Sequence, residues 1–301
     1  MVFTFVVFAF TGFGATDIVV LWNISIQKGV SVAVPNAGHK IYETVLGFGV
    51  CRVTSDLKIV KIRYKSRLDN VESISCIPWQ VEVFTLSTRA WRSPYSNLPR
   101  KSIQFRSKQV AIDGLVYWLA YDMIAMDVRY NCRYCNLIIS FDMTTEEFKE
   151  VNLPNSLAQQ PFYYLSLSKI RESLVVLGRG VCGNNRVFGV WMMEDGVSSS
   201  FRMLFNVDVN APYASIMGFR KSGEAIIEIS KHEHDHAQHV VYDPCTDPKC
   251  DYARLVVYEP YSKRMDNLGF EGVKASFFVY PYVETLLLLD QPDLTSSYEY
   301  I

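Results

Sequence analysis

The chain has 301 residues, of which 49% are hydrophobic, so it can bury a large core in one domain or two. It has 30 Lys and Arg against 31 Asp and Glu, which gives a net charge of −1. Such a balance argues against a nucleic acid or an anionic membrane bound through a large overall positive charge. The seven cysteines are an odd and irregularly spaced set, which favours reduced thiols and an intracellular protein over a disulfide-stapled secreted domain.

The chain begins with an apolar run, VFTFVVFAF, at residues 2–10. The run lacks the basic segment of a signal peptide and is too short to cross a bilayer as a helix. Its aromatic and β-branched residues instead predict a buried strand. The LLLL run at residues 286–289 is also too short, so no membrane-spanning segment is predicted.

Strand-like segments follow along the chain, bounded by Gly, Pro, Asn, Asp and Ser, and helical patterns are scarce. Residues 143–151, MTTEEFKEV, carry a helix-capping pattern, but they lie between two strand-like runs and favour a hairpin loop. Asp113-Gly114 predicts a two-residue type I′ hairpin turn, and Ser222-Gly223 predicts a weaker version of it.

One pattern recurs along the chain: an apolar strand, a polar turn and a second strand. Its copies begin at Ile18, Val81, Leu137, Phe188 and Leu255, which are 51 to 67 residues apart. Another strand lies between successive copies, so each unit holds three or four strands. The units are placed at residues 1–40, 45–103, 104–157, 158–210 and 211–272, followed by a strand pair at 275–290.

Repeats of this size predict stacked β units that share one core. The expected fold is therefore all-β, a β-propeller formed by a single domain over residues 1–301. A pair of β-sandwiches is the alternative. The ring is either closed by pairing of the N-terminal strand with the last strands or left incomplete. Core packing is the predicted role of four tryptophans placed at equivalent positions of the repeats: Trp22, Trp91, Trp118 and Trp191.

The segment KHEHDHAQHVVYDPCTDPKC holds the densest group of metal-ligating side chains: His232, His234, His236, His239, Cys245 and Cys250. Imidazole and thiolate are natural zinc ligands, so this segment is a candidate zinc site. However, H-x-H-x-H places alternate residues on one face of a strand, and C-x4-C is looser than the C-x2-C of most zinc modules. The prediction is a solvated insertion between two strands with no metal and no cofactor. A zinc-binding or hydrolytic propeller is the alternative function.

Two shorter motifs are weaker indications of a redox site and a dinucleotide-binding site. Cys132 and Cys135 form a C-x2-C pair, but no helix N-terminus follows to activate a redox thiol. Residues 178–183 satisfy G-x-G-x-x-G, yet a strand-like run follows where a dinucleotide site needs a helix, so they predict a glycine-rich hairpin turn. No hydrolase elbow, zincin motif or P-loop occurs, so no catalytic residue is predicted and the chain is expected not to be an enzyme.

Six motifs follow one another between Ile18 and Leu289: GFGV-x5-DLKIVKI from Gly47, VEVFTLSTRAWR from Val81, DGLVYWLA from Asp113, IISFDMTTEEFKEVNLP from Ile138, GVWMMEDGVSSSF from Gly189, and the closing segments from Leu255 and Tyr282. In content and in order they resemble the F-box-associated domains of plant proteins. The resemblance implies a kelch-like β-propeller that receives a protein substrate for a cullin-based ubiquitin ligase.

The chain also departs from the family pattern. Residues 1–17 form a divergent N-terminal strand that matches nothing in the pattern, and no F-box-like helical stretch precedes Ile18. Ile24 stands where the family has Pro, and Phe201 where it has Trp. The resemblance therefore implies a protein-interaction module of the cytoplasm or nucleus with an unidentified protein partner. The ligase adaptor would be a partner only if an F-box is supplied elsewhere, and a truncated, non-functional family member is a further alternative.

Overall fold

The structure, a computed structural model, describes residues 6–10, 17–35, 42–65, 79–94, 103–122, 135–182, 185–194, 200–211, 213–230 and 252–279. Over these ranges the secondary structure is nineteen β-strands, one helix of four residues and one 3-10 turn. The predicted all-β chain is confirmed. Within the same ranges, neither helix is long and apolar enough to cross a membrane.

The strands divide between two compact units, within residues 1–95 and 280–301 for the first and within 96–279 for the second. The first unit contains a sheet of β1 (Val6–Phe10), β2 (Asp17–Asn23) and β3 (Lys28–Val34). Its second sheet contains β4 (Tyr42–Val50), β5 (Leu57–Lys65), β6 (Gln80–Thr85) and β7 (Ala90–Arg92). The prediction of a single domain stays a prediction.

The second unit contains three four-stranded sheets. The third sheet of the chain holds β8 (Ile103–Ile112), β9 (Leu115–Asp122), β10 (Asn136–Asp142) and β11 (Phe148–Asn152), and is followed by α1 (Asn155–Ala158) and a 3-10 turn (Phe162–Tyr164). The fourth holds β12 (Leu165–Ile170), β13 (Ser173–Cys182), β14 (Asn185–Met193) and β15 (Phe201–Val209). The fifth holds β16 (Tyr213–Phe219), β17 (Ala225–Ser230), β18 (Tyr252–Tyr258) and β19 (Met265–Val273).

Each sheet is an antiparallel meander in which neighbouring strands follow one another in the chain. The five copies of the repeat are the last two strands of the five sheets, β2–β3, β6–β7, β10–β11, β14–β15 and β18–β19. The predicted units of three or four strands are therefore confirmed, as is the strand predicted at the N-terminus, over Val6–Phe10. The strand pair predicted at 275–290 is wrong for residues 275–279, which are irregular, and its remainder lies outside the described residues.

A common turn closes four of these last hairpins. Four positions after the residue that opens the turn, a residue lies in the left-handed region, with φ between 51° and 59°. The opening and left-handed residues are Asn23 and Gln27, Thr85 and Arg89, Asp142 and Glu146, and Glu259 and Lys263. A carboxylate or amide in the opening position accepts backbone hydrogen bonds, as Asn23 does from Ser25 at 2.9 Å and Asp142 from Thr144 at 2.7 Å. The polar turn of the repeat therefore has a structural cause, because its side chain satisfies the turn backbone.

The two shorter hairpin predictions have different outcomes. Asp113 and Gly114 both have positive φ, 43° and 72°, which confirms the type I′ turn between β8 and β9. At Ser222-Gly223 only Gly223 has positive φ, and the N–H of Arg220 donates to the carbonyl of Glu224 at 2.9 Å. The loop between β16 and β17 therefore has three central residues with glycine last, so the prediction of a two-residue turn at Ser222-Gly223 is wrong.

Apolar layers fill the space between consecutive sheets of each unit. In the first unit, Val19 and Leu21 from β2 pack with Ile59 and Phe84 from the second sheet. In the second unit, alternate residues of β13 enter two different layers: Leu174 and Val176 face the third sheet, whereas Val175 and Leu177 face the fifth. The two-residue period of a strand thus lets the fourth sheet contribute to a core on both sides.

Buried polar groups connect neighbouring sheets within a unit. In the first unit, Lys61 is fully buried, forms an ion pair with Glu82 and donates to the carbonyl of Pro35 at 2.7 Å. The indole of Trp91 donates to the carbonyl of Ala33 at 2.9 Å. Both donors lie on the second sheet, and their acceptors lie on β3 or directly after it. Because a buried charge without partners is costly, these bonds fix how the two sheets meet.

The four tryptophans are not equivalent, which corrects that prediction. Trp22 and Trp191 lie on the next-to-last strands of their sheets, Trp91 lies on a last strand, and all three are partly exposed. Trp91 and Trp191 are partly buried and pack against apolar layers, as predicted. Trp118 lies on β9, has no exposed surface and contacts Phe105 edge-to-face at 6.0 Å between ring centroids. The predicted core role is confirmed for Trp118.

Replacing Trp118 should therefore destabilise the protein. We expect Trp118→Ala to lower the free energy of unfolding by about 3–5 kcal/mol, because the indole leaves a cavity that its neighbours fill only in part. Thermal melts beside wild type measure this loss. The matched control is Tyr261→Ala, since Tyr261 is 98% exposed and its removal should leave the melting temperature nearly unchanged. An unchanged melt for Trp118→Ala would contradict the core role.

Candidate functional site

The candidate zinc ligands lie outside the described residues, because residues 231–251, which contain all six, are not described. Over the ranges that are described, no three His, Cys, Asp or Glu side chains lie close enough together to hold a metal ion. The zinc site and its alternative, a solvated insertion, both stay predictions. Of the C-x2-C pair, Cys135 is a half-buried free thiol and Cys132 lies outside the described residues.

Two of the three G-x-G-x-x-G glycines lie outside the predicted hairpin turn. Gly178 and Gly180 lie inside β13, and β14 follows, so the strand predicted after the motif is confirmed and the turn is wrong for these two positions, whereas Gly183 lies outside the described residues. A Cβ on Gly178 would lie 3.3 Å from the side chains of Leu157 and Gln160. Glycine suits this position because α1 and the residues after it pass close to the strand.

A different group of residues comes together where the first strands of the second unit begin. The first strands of the third, fourth and fifth sheets, β8, β12 and β16, neighbour one another. Arg106 near the start of β8 donates from Nη1 to the carbonyl of Leu165, the first residue of β12. Leu165 pairs with Gly178 on β13, and Tyr213 at the start of β16 pairs with Ser230 on β17. We call this region the strand-entry end.

Basic and aromatic side chains form a contiguous cluster at the strand-entry end. The guanidinium carbon of Arg179 lies 5.3 Å from the ring centroid of Tyr164. Tyr164 contacts Tyr163 edge-to-face at 4.5 Å, and Tyr163 is 57% exposed. We define the basic–aromatic cluster as Arg106, Lys108, Tyr163, Tyr164 and Arg179. Its members come from the third and fourth sheets and the turn between them, so a rigid scaffold holds them.

The positive charges of the cluster repel one another. The pKa of Arg106 is lowered by burial first and by neighbouring Arg179 second. Lys108 keeps part of its surface exposed. Its pKa is lowered by burial first and by Arg106 second. The Nε of Arg179 is buried and has no hydrogen-bond partner in the structure. An anion placed among these groups would relieve the repulsion and satisfy the orphaned donor.

A second polar group, around Tyr213, adjoins the cluster. The pKa of Tyr213 is raised by burial and by Glu228 and lowered by Arg179. Glu228 on β17 is 1% exposed and accepts a hydrogen bond from the N–H of Ala275 at 2.6 Å. The ammonium of Lys274 lies 3.9 Å from the Tyr213 ring centroid. The segment after β19 therefore returns to β16 and β17 and brings a cation that neighbours Glu228.

Sequence reasoning missed the basic–aromatic cluster. The only signals along the chain are the Phe-Tyr-Tyr run at residues 162–164 and the arginine between Gly178 and Gly180. Neither signal indicates which residues meet, because Arg106 and Arg179 are far apart in sequence and are brought together by the contacts of β8 with β12 and β13.

Meandering antiparallel sheets that pack face to face within each unit define the chain as an all-β protein of the β-propeller type. The chain belongs to the F-box-associated family, since the model of the F-box associated beta propeller domain matches residues 11–287. The predicted family and fold class are both confirmed.

Similar proteins from Arabidopsis thaliana carry F-box names. An F-box/LRR-repeat/kelch-repeat protein is 29% identical over 58% of this chain and 46% of its own length. The F-box protein CPR1 is 23% identical over 59% of this chain and 43% of its own length. The chain thus spans about half the length of these curated relatives. Among solved structures, that of YjhT is 9% identical with a TM-score of 0.40 over 85% of this chain and 79% of that one.

The burial of Glu228 gives a pH-dependent prediction. Burial raises its pKa above the ordinary 4.5, against smaller opposing effects from Ala275 and Lys274. The folded protein therefore binds this proton more tightly than the unfolded chain, and stability falls as pH rises from about 4.5 through the raised value. We expect Glu228→Gln to melt higher than wild type at pH 7.5, with a difference that shrinks towards pH 4.5.

Thermal melts across this pH range measure the effect. The matched control is Glu271→Gln, an exposed carboxylate on β19 of the same sheet, which should follow wild type at each pH. A Glu228→Gln variant that melts below wild type at pH 7.5 would show that the charged form stabilises the fold, contrary to this reasoning.

Proposed function

We propose that this domain is the substrate-recognition module of a cullin-based ubiquitin ligase and binds a protein partner non-covalently at the strand-entry end. The observation that carries the proposal is the basic–aromatic cluster, in a chain that belongs to the F-box-associated family. Tyrosine and arginine are the residue types most enriched where protein interfaces concentrate their binding energy. The domain would do its work in the cytoplasm or nucleus, and it would bind rather than transform its partner.

The placement of the cluster supports a binding role. Arg106 and Arg179 lie on strands, and Tyr163 and Tyr164 lie in a short 3-10 turn directly before β12. Side chains held in this way lose little conformational entropy when a partner binds. Tyr163 provides exposed aromatic surface, and its contact with Tyr164 fixes the ring beside the arginines. The strand-entry end thus combines an apolar anchor with directional donors.

Partner capture should depend on the cluster. We expect a protein recovered from plant extract with the wild-type domain to be reduced at least about tenfold with Tyr163→Ala or Arg179→Ala, which corresponds to about 1.4 kcal/mol of binding free energy. Affinity capture with quantitative mass spectrometry measures the reduction. The control is Arg264→Ala, because that arginine is exposed and pairs with Asp266 at the other end of the fifth sheet. Equal recovery with all four proteins would contradict the proposed site.

Adaptor binding should require an F-box joined to the domain. We expect the ligase adaptor to co-purify with a fusion of an F-box to residues 1–301, and not with residues 1–301 alone, because the docking module is helical and the described residues contain only a four-residue helix. Size-exclusion chromatography of each protein mixed with the adaptor measures this. A stoichiometric complex with residues 1–301 alone would mean that another surface of the chain docks the adaptor.

A further inference from the structure

We infer that the partner segment bound at this site is acidic, and that the basic–aromatic cluster receives a side-chain carboxylate against Arg179 and Arg106. The inference rests on the proposed function, since it specifies the chemistry of the partner that the domain would recognise. Three features carry it: the local charge, the geometry of Arg179 and the mixture of arginine with tyrosine.

The basic–aromatic cluster is locally positive in a chain that is nearly neutral. Arg179 lowers the pKa of Arg106, and Arg106 lowers that of Lys108, so the three cations lie close together. The carboxylates at the same end include Glu228, which accepts from Ala275, and Asp122, which pairs with Ile103 at the start of β8; both are buried. The whole chain has a net charge of −1, so this local excess does not follow from its composition. A negatively charged partner segment would complement the site.

The geometry of Arg179 favours a carboxylate. Its guanidinium lies over the Tyr164 ring, and its buried Nε lacks a hydrogen-bond partner. A guanidinium that stacks on a ring presents its N–H groups at its edge, where a carboxylate binds them in pairs. Arg106 is held beside it through the bond from Nη1 to the Leu165 carbonyl. A carboxylate at this edge would bind the terminal N–H groups of the guanidinium, and it would bring negative charge next to the buried Nε that lacks an acceptor.

The surroundings favour a peptide over other anionic partners. Tyr163 and Tyr164 offer ring surface next to the cations, which suits the apolar residues that flank an acidic side chain in a protein segment. A nucleic acid or an anionic membrane would need a more extended basic surface, and the chain has no excess of positive charge to provide one. The acidic peptide is therefore the occupant that charge and ring surface together support.

Fluorescence anisotropy with two labelled peptides tests the inference. One peptide alternates Asp and Glu with Leu and Ser, and the other replaces each acid by Asn or Gln. We expect the acidic peptide to bind the wild-type domain at least about tenfold more tightly than its amide counterpart, and to weaken as salt rises from low to physiological concentration. Arg179→Met should bind the acidic peptide about tenfold more weakly than wild type, because methionine keeps apolar contact with Tyr164 but lacks the N–H donors of the guanidinium.

Two further variants keep the test decisive. Lys108→Met, at the exposed rim, should weaken binding a few-fold and carries the test if Arg179→Met does not fold. Arg264→Met, the distant control, should bind as wild type does. Equal affinity for the two peptides, or unchanged affinity in both Arg179→Met and Lys108→Met, would overturn the inference. A phosphoserine peptide that binds where the carboxylate peptide does not would overturn the choice of a carboxylate.

Competition separates this inference from the proposed function. If the acidic peptide displaces a captured protein, both are supported. If capture depends on Tyr163 but the acidic peptide neither binds nor competes, the proposed function stands and the inference fails. If the acidic peptide binds through Arg179 while capture from extract is equal for all variants, the acidic site stands and the proposed recognition role fails.

Discussion

The structure depends on the need of the fourth sheet to bury both of its faces. Leu174 and Val176 of β13 enter one apolar layer, and Val175 and Leu177 enter another. A strand that is apolar on both faces cannot stay at a surface, so it requires a further sheet on each side. The last strands of the fourth and fifth sheets, β15 and β19, are much more exposed, so burial on both faces is not needed along the outer edge of these sheets. Each copy of the repeat adds one sheet to its unit.

Polar groups decide how the apolar sheets align. The hairpin turn shared by four of the sheets ties the register of their last two strands to a capping side chain, such as Asn23 or Asp142. Between sheets, Asn136 at the start of β10 donates to carbonyls of the segment after β11, at 3.0 Å to Ala158 and 2.7 Å to Gln160. Apolar contacts alone tolerate sliding, whereas directional bonds inside a core permit one arrangement.

The strand-entry end places like charges together at a cost that the rest of the fold offsets. Burial and mutual repulsion lower the pKa values of Arg106 and Lys108, although substitution by apolar residues would remove the repulsion. Groups that a fold holds in an unfavourable electrostatic setting are often those that a ligand satisfies. A fold does not by itself define a function, which depends on the side chains that the sheets hold at such a site.

The sequence by itself determined the strand composition, the repeat, the Asp113-Gly114 turn and the family, because these follow from local patterns of apolar residues and turn chemistry. It did not determine that Trp118 is fully buried while Trp191 is partly exposed, since each of them has an apolar residue on both sides in the chain. It also did not indicate that Arg106 and Arg179 meet. Only the tertiary structure decided these points, because the contact between β8 and β12 is set by the stacking of whole sheets and leaves no periodic signal in the chain.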